Sequence, residues 1–356
     1  MLTKQFDLSK IAYLVLTIIG ITTILVFSKD YAIPFIIALL VWFIIHELRE
    51  NIQQIPWLKK NCPIWLQSMI GFVVINAALF LVFQLLIVSM SDLLDSINIY
   101  EENLDKSLLQ VNDMTGIDVT DQVLTYIKEI DLAATATALF DYVSLLLGDA
   151  FLILLYVLFL LLEESVFNSK LDALYSDEKK KKKIVALFQK MDHSISKYLT
   201  LKTLVSLLTG VLSYFALLFI GIDAPAFWAI LIFVLNYIPT IGSLIATLFP
   251  AFFAVVQFGE FSPMVMVLVS VGLIQVIVGN IIEPKIMGDS LNISSLVVIL
   301  SLTIWGAIWG VMGMILSVPI TVMMIVVFEE IPDLKPLAIM LSEKGQLKSL
   351  VEEEDS

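Results

Sequence analysis

The sequence is short of the residues that carry most protein chemistry. In 356 residues it has one cysteine, Cys62, two histidines, His46 and His193, and very little arginine. A lone thiol excludes an internal disulfide and any cysteine-rich zinc or iron–sulfur site. The two histidines stand far apart and do not suggest a metal pair, so neither a metal nor a cofactor is expected. Charge is also scarce, at 15% of residues, against about 25% in soluble domains. It sums to −13, whereas a nucleic-acid binder needs a basic face, so no nucleic-acid partner is expected. The patterns H-E-x-x-H and G-x-S-x-G are missing, so no catalytic residue is assigned and no enzyme activity is expected. The Walker pattern G-x-x-x-x-G-K-[ST] is missing too, so ATP drive would need another protein. No cleavage site of small residues follows the first apolar stretch, which therefore reads as a retained span.

What the chain has is apolar length. It is 59% hydrophobic, with a mean hydropathy of +0.95, and the implied class is an all-α polytopic membrane protein. Uncharged runs mark the spans, because a charge at the bilayer centre costs at least about 2.5–3.5 kcal/mol. Such runs cover Ile11–Ser28, Tyr31–Ile45 and Asn61–Ser91. From Asp92 to Asp149 the texture changes, to 12 acidic residues against two lysines. Leu93, Ile97, Tyr100, Leu104, Leu108 and Val111 follow helical spacing there, which predicts an amphipathic helix rather than a span. Met114-Thr115-Gly116 breaks it, and a second helical stretch starts near Asp121. Phe151–Leu162, with its approach from Tyr142, crosses next. Asn168–Lys202 is basic, with nine lysines against four acids, and Lys179–Lys183 is an unbroken lysine run. Thr203–Ile222 and Phe261–Ile282 are spans of ordinary length. The division expected is spans 1–3 over 1–91, an acidic external region over 92–149, a fourth span and basic loop over 150–202, a core with the longest apolar segments over 203–330, and an acidic tail over 331–356.

Lysine and arginine placement sets orientation. Lys4 and Lys10 precede the first span; Arg49, Lys59 and Lys60 follow the second; the lysine run follows the fourth. All belong on the cytoplasmic side if the amino terminus is inside. The acidic Asp92–Asp149 region is then external, and both termini are cytoplasmic. Trp42, Trp57 and Trp65 read as interface anchors.

Two segments are anomalous. Ala224–Gly259 runs 36 residues without a charge, and Ser290–Phe328 runs 39. A 36-residue helix would be about 54 Å long, against a hydrocarbon core of about 30 Å, yet two full spans need about 40 residues plus a turn. A helix–break–helix segment entering and leaving by one side fits better. The first carries Asn236-Tyr237-Ile238-Pro239-Thr240-Ile241-Gly242 near its middle, and the second carries Trp305-Gly306-Ala307-Ile308-Trp309-Gly310-Val311-Met312-Gly313. Proline removes a helical donor and glycine permits unusual backbone angles. Paired interrupted segments point to a transporter binding site. The plainer readings are a kink in a tilted helix for the first and close helix packing through Gly306-x-x-x-Gly310 for the second. Glu283-Pro284 closes the Phe261–Ile282 span. Its carboxylate reads either as a solvated interfacial charge or as a group handling a coupling proton or cation. Glu163 and Glu164 read as a solvated span end, and the lysine run as a solvated loop, with contact to anionic lipid as the alternative.

The carboxyl-terminal half resembles the autoinducer-2 exporter family, also described as PerM-like permeases. The likeness is carried by Asn236–Gly242, by Gly279-Asn280-Ile281-Ile282-Glu283-Pro284-Lys285-Ile286-Met287-Gly288, by Leu291-Asn292-Ile293-Ser294 and by Trp305-Gly306 through Val318-Pro319. It spans roughly Asn236–Thr321, and the order of spans and amphipathic excursion elsewhere agrees. The resemblance implies an inner-membrane transporter of about eight membrane elements, two of them re-entrant helical hairpins (224–259 and 290–328). It also implies a homo-pentamer whose protomers each move by an elevator-type motion. Carried onto this sequence, Asn236, Pro239, Thr240 and Gly242 form the first hairpin tip and Gly306, Gly310 and Gly313 the second, with substrate between them. Glu283 and Pro284 form the joint. Members of the family are associated with export of the small polar signal autoinducer-2, and others with sodium/proton exchange; nothing in this sequence selects a substrate. A secondary transporter of a small polar solute is thus the first expectation, and a non-transporting membrane scaffold is the alternative from another class.

Overall fold

The computed structural model describes residues 8–53, 62–100, 102–104, 106–107, 132–287 and 293–345. Lys4, Trp57, Lys59, Lys60, Leu108, Val111, the Met114–Gly116 break, the stretch from Asp121, Gly288, Leu291 and Asn292 lie outside them. Among the described residues all regular structure is helical. In chain order the helices are α1 (Leu8–Phe27), α2 (Lys29–Gln53), α3 (Ile64–Asp95), α4 (Leu132–Leu174), α5 (Glu178–Ile220), α6 (Pro225–Leu235), α7 (Ile241–Phe258) and α8 (Phe261–Ile277). A π-helical turn, Val278–Ile282, leads from α8 into α9 (Glu283–Met287), followed by α10 (Ser295–Glu330) and α11 (Lys335–Leu341). Six stretches are long and apolar enough to cross a bilayer: Lys29–Glu50, Trp65–Asp95, Glu178–Ile220, Ile241–Phe258, Phe261–Met287 and Ser295–Glu330. The protein is an all-α polytopic membrane protein.

Helix ends follow local chemistry. Asp177 caps α5 by accepting from the Lys179 N–H at 3.0 Å. At the other end Gly221 takes a left-handed conformation, φ 86°, while Ile222 N–H reaches back to the Leu217 carbonyl, a Schellman-type stop. Pro225 starts α6, where its missing N–H is not needed. Gly259, φ 70°, ends α7.

The boundaries differ from the sequence reading in three places. The lysine run lies in the first turns of α5, which continues unbroken into the span, so residues 178–202 are helix and not loop. Uncharged length alone does not see this, because a helix keeps its hydrogen bonds when it leaves the membrane. The Phe151–Leu162 span is likewise part of a 43-residue helix. The 261–282 span ends in a π-helical turn.

Packing divides along the length of α5. Leu217, near its Gly221 end, joins a core with Trp228, Ile232 and Ile238, Ala246 and Ala254, Val267 and Val271, and Met90 and Tyr100. Ile195 and Leu199, about midway along it, join a second core with Phe43, Ile293 just before α10, Val297, Ile325 and Val326 from both ends of α10, and Ala338. Large apolar side chains on α1 and α3, such as Leu16, Ile24, Phe80 and Val88, face outward, as lipid-facing surface does.

Candidate functional site

The site is organised by one face of α5. Lys202, Ser206, Thr209 and Ser213 recur at helical spacing and all are buried. Buried polar side chains in an apolar bundle are costly and mark function by default. Three of the four have a side-chain partner or backbone acceptor. Lys202 Nζ donates to Glu283 Oε1 at 2.5 Å, its side chain 6% exposed against 22% for the carboxylate. Ser206 Oγ accepts from Asn236 Nδ2 at 3.1 Å. Thr209 donates to the Val205 carbonyl. Next to Lys202, the Thr203 hydroxyl and the Tyr237 phenol lie 2.6 Å apart. Buried polar atoms without a partner among the described residues include Ser213 Oγ, Trp228 Nε1 and Gln275 Nε2, each an open place for a water or a solute group.

The first interrupted segment brings Asn236 and Tyr237 to that face. Helix α6 ends at Leu235 and α7 begins at Ile241. Between them Thr240 has φ 57° and ψ −55°, and Ile241 N–H donates to the Pro239 carbonyl at 2.6 Å. That is a γ-turn of positive φ, rare and strained for a residue with a side chain. Gly242 closes the turn. A Cβ there would fall 1.8 Å from the Leu235 carbonyl oxygen, so only glycine fits. Asn236 and Gly242 are buried, Pro239 half-buried and Thr240 exposed. The ends of the segment meet: Asp223 N–H donates to Gln257 Oε1 at 2.8 Å, and Gln257 Nε2 donates to the Gly221 carbonyl at 2.9 Å. Ser206 is about 22 Å from that junction along α5, at 1.5 Å per residue.

The acidic region closes over the same junction. Tyr100 Oη donates to Asp223 Oδ2 at 2.8 Å, and Asn103 Nδ2 donates to the Gln257 carbonyl at 2.5 Å. Burial, and after it the Asp223 carboxylate, push the Tyr100 phenol above its ordinary pKa, so it remains a donor.

The second segment folds differently. Helix α10 is interrupted at Gly310, φ 62° and ψ −142°. A Cβ on Gly313 would fall 1.9 Å from the Trp305 carbonyl oxygen, and one on Gly306 would meet Met314 at 3.0 Å. Gly313 is buried, Gly306 half-buried and Gly310 exposed. Trp309 Nε1 donates to the Leu25 carbonyl of α1 at 3.0 Å, and Trp305, Ile308 and Trp309 pack with Leu25, Ile33 and Ile36. The two tips thus hold different partners. Among the described residues no hydrogen bond joins 236–242 to 305–313; beside the second tip Leu302, Met314 and Ile315 share an apolar core with Ile238.

Glu283 is placed by the π-helical turn immediately before it, a feature frequent at functional sites. Pro284 is exposed. The reading of Glu283 as a freely solvated charge does not hold, since Lys202 accompanies it. Sequence reasoning missed Lys202, which it left in the basic loop. The available signal was the 202–206–209–213 spacing in an otherwise apolar helix.

Glu164 also differs from its expected solvated state. Arg49 Nη2 donates to its Oε1 at 2.6 Å and Trp42 Nε1 to its Oε2 at 3.2 Å. Arg49 further donates to Ser68 Oγ at 3.1 Å and lies 2.8 Å from His46 Nδ1, while His46 Nε2 is 3.1 Å from Asp192. This network ties α2, α3, α4 and α5 together at the lysine-rich end of α5. A partly buried charge survives there because each has a partner.

Interrupted apolar helices, the first of which carries its break to a buried polar face of α5, are the pattern of a membrane transporter. The family described as AI-2E family transporter matches residues 12–333. The chain is 32% identical over 321 residues to the AI-2 transport protein TqsA of Escherichia coli K12, covering 89% of this chain and 91% of that one. It is 29% identical over 352 residues to a putative transport protein of Haemophilus influenzae Rd, covering 93% and 97%. The chain belongs to the AI-2E transporter family, and is a multi-pass bacterial membrane protein.

Proposed function

We propose that the protein is a secondary transporter that exports a small polar solute, an autoinducer-2-like signal by analogy with what the E. coli relative is named for. The observation that carries this reading is the first tip, where a strained γ-turn at Thr240 delivers Asn236 and Tyr237 to hydroxyls of α5 deep in the bundle. In this reading 224–259 and 290–328 are re-entrant hairpins. The hydrogen bonds joining Asp223 to Gln257 support the first, and the shared packing of Ile293 and Val297 with Ile325 and Val326 supports the second. The first opens at the Gly221 end of α5 and the second at its lysine-rich end, as inverted elements of alternating-access transporters do. Lysine placement puts the lysine-rich end and both termini in the cytoplasm and the acidic 92–149 region outside.

Helices α5 to α10 form the transport core over 203–330 and travel as one piece against α1 to α4, in an elevator-type motion within each protomer of a homo-pentamer. The solute binds at Asn236, Pro239, Thr240 and Gly242, with Gly306, Gly310 and Gly313 closing the opposite approach and Glu283-Pro284 as the joint. Sodium/proton exchange is a second reading, favoured by the half-exposed Glu283 carboxylate beside the first tip.

Reconstitution in liposomes tests both. Solute flux down an imposed gradient, weakened in Asn236→Ala while the variant still assembles, is the expected result. Sodium-driven proton movement without solute flux would select the exchanger. Absence of any flux with normal assembly would leave the protein a membrane scaffold. Orientation is read by labelling single cysteines in a Cys62→Ser background. Lys181→Cys should resist an impermeant reagent from outside, and Asp223→Cys and Glu260→Cys should both react.

A further inference from the structure

Lys202 is a buried cation, its charge balanced by Glu283. The two partners are not equally placed. Lys202 is fixed on the long helix α5, packed on both sides by buried residues and nearly closed to the surroundings, whereas Glu283 is more than three times as exposed. Glu283 also follows a π-helical turn, Val278–Ile282, and heads a five-residue helix. Such turns are rare and are found frequently at functional sites. Within one turn of Lys202 stand the paired Thr203 and Tyr237 hydroxyls and the Ser206–Asn236 bond of the first tip. A polar group arriving at the tip therefore meets an ammonium group, four hydroxyl or amide groups and the more exposed carboxylate of the pair.

We infer that Lys202 recognises the solute, that Glu283 takes the solute's place when the site is empty, and that the solute presents an anionic oxygen of the carboxylate or phosphate class. The inference rests on the transport reading above and names its substrate class. Charge balance supplies the reason. A neutral polyol that parted the pair would leave two unpaired charges in the bundle, which is strongly unfavourable. An anion exchanges one counter-charge for another and gains the neighbouring hydroxyls and amide as donors. Glu283 is then released to water on the side from which the solute entered.

The test uses purified full-length protein in detergent, thermal melting as the readout, and glycerate against its neutral counterpart glyceramide, with acetate and inorganic phosphate as further anions. Glu283→Gln leaves Lys202 without its counter-charge. It should melt below wild type and be raised by at least one of the anions, at concentrations roughly tenfold lower than wild type requires, and not by glyceramide. Lys202→Met/Glu283→Gln should lose the anion response altogether, which separates Lys202 from the surface lysines. If Glu283→Gln does not assemble, Glu283→Asp, with its carboxylate drawn back by one methylene, should show the same tighter anion response to a smaller degree. Equal responses to glycerate and glyceramide, an unchanged response in the double variant, or no response to any of the three anions would overturn the inference. In liposomes, flux confined to neutral solutes would overturn it and leave the transport reading standing. An anion response without flux of any solute would keep the binding site and sink that reading.

Discussion

The two interrupted segments solve the same problem with opposite chemistry. In each, the helix is interrupted where a glycine lies against a carbonyl of the incoming helix, Gly242 on Leu235 and Gly313 on Trp305. Each also contains a residue of positive φ. In the second segment that residue is Gly310, for which the conformation is free of strain. In the first it is Thr240, for which it is not. The first tip ends in hydrogen bonds to α5 through Asn236 and Tyr237. The second packs its own Trp305 and Trp309 on aliphatic residues of α1 and α2, with one bond from Trp309 to a backbone carbonyl. Strain persists where the surroundings over-determine it, and it concentrates at working sites. Under the transport reading proposed above, the difference assigns solute contact to the first tip and packing against α1 to the second.

The largest expected effect falls on the shared feature. Gly242→Ala and Gly313→Ala each drive a Cβ into a carbonyl oxygen, and each should destabilise by about 3 kcal/mol or more, since overpacking a close-packed core costs about 1–3 kcal/mol even without a backbone clash. Melting in detergent reads this. If either variant melts like wild type, that turn is not closed as described.

A smaller effect separates the tips. Gly310→Ala should cost about 1–3 kcal/mol, the usual cost of a residue held in a conformation essentially confined to glycine. Thr240→Gly should have the opposite sign and stabilise by about 1 kcal/mol, while slowing solute flux. A Thr240→Gly variant that is both less stable and fully active would erase the contrast.

The smallest effects are single hydrogen bonds, at about 0.5–1.5 kcal/mol each. Asn236→Ala and Trp309→Phe should lose similar stability. Only Asn236→Ala should raise the solute concentration for half-maximal flux. Equal changes in that concentration would show that both tips touch the solute.

Much of the fold was legible from composition alone. Charge is so costly in hydrocarbon that the uncharged runs marked the membrane elements, and proline and glycine marked the places where helices α6, α7 and α10 stop or turn. The pattern failed where helix and membrane end at different points, as at the lysine-rich start of α5, because a helix satisfies its own backbone in either medium. It also failed for charges whose partners are distant in sequence. Glu164 and Glu283 each looked like a solvated span end, and each has a cationic partner, Arg49 at 115 residues and Lys202 at 81 residues along the chain.

By itself, then, the sequence determined that this chain lives in a membrane, where its uncharged spans lie, and where its two long apolar segments must break. All three follow from the local cost of charge, proline and glycine. Tertiary structure decided which polar groups meet: that one face of α5 gathers Asn236, Tyr237 and Glu283, that Lys202 balances the carboxylate, and that the second tip lies on α1. Hydrogen bonds and ion pairs act over a few ångströms in space, and no local pattern records which distant residues will come within that range.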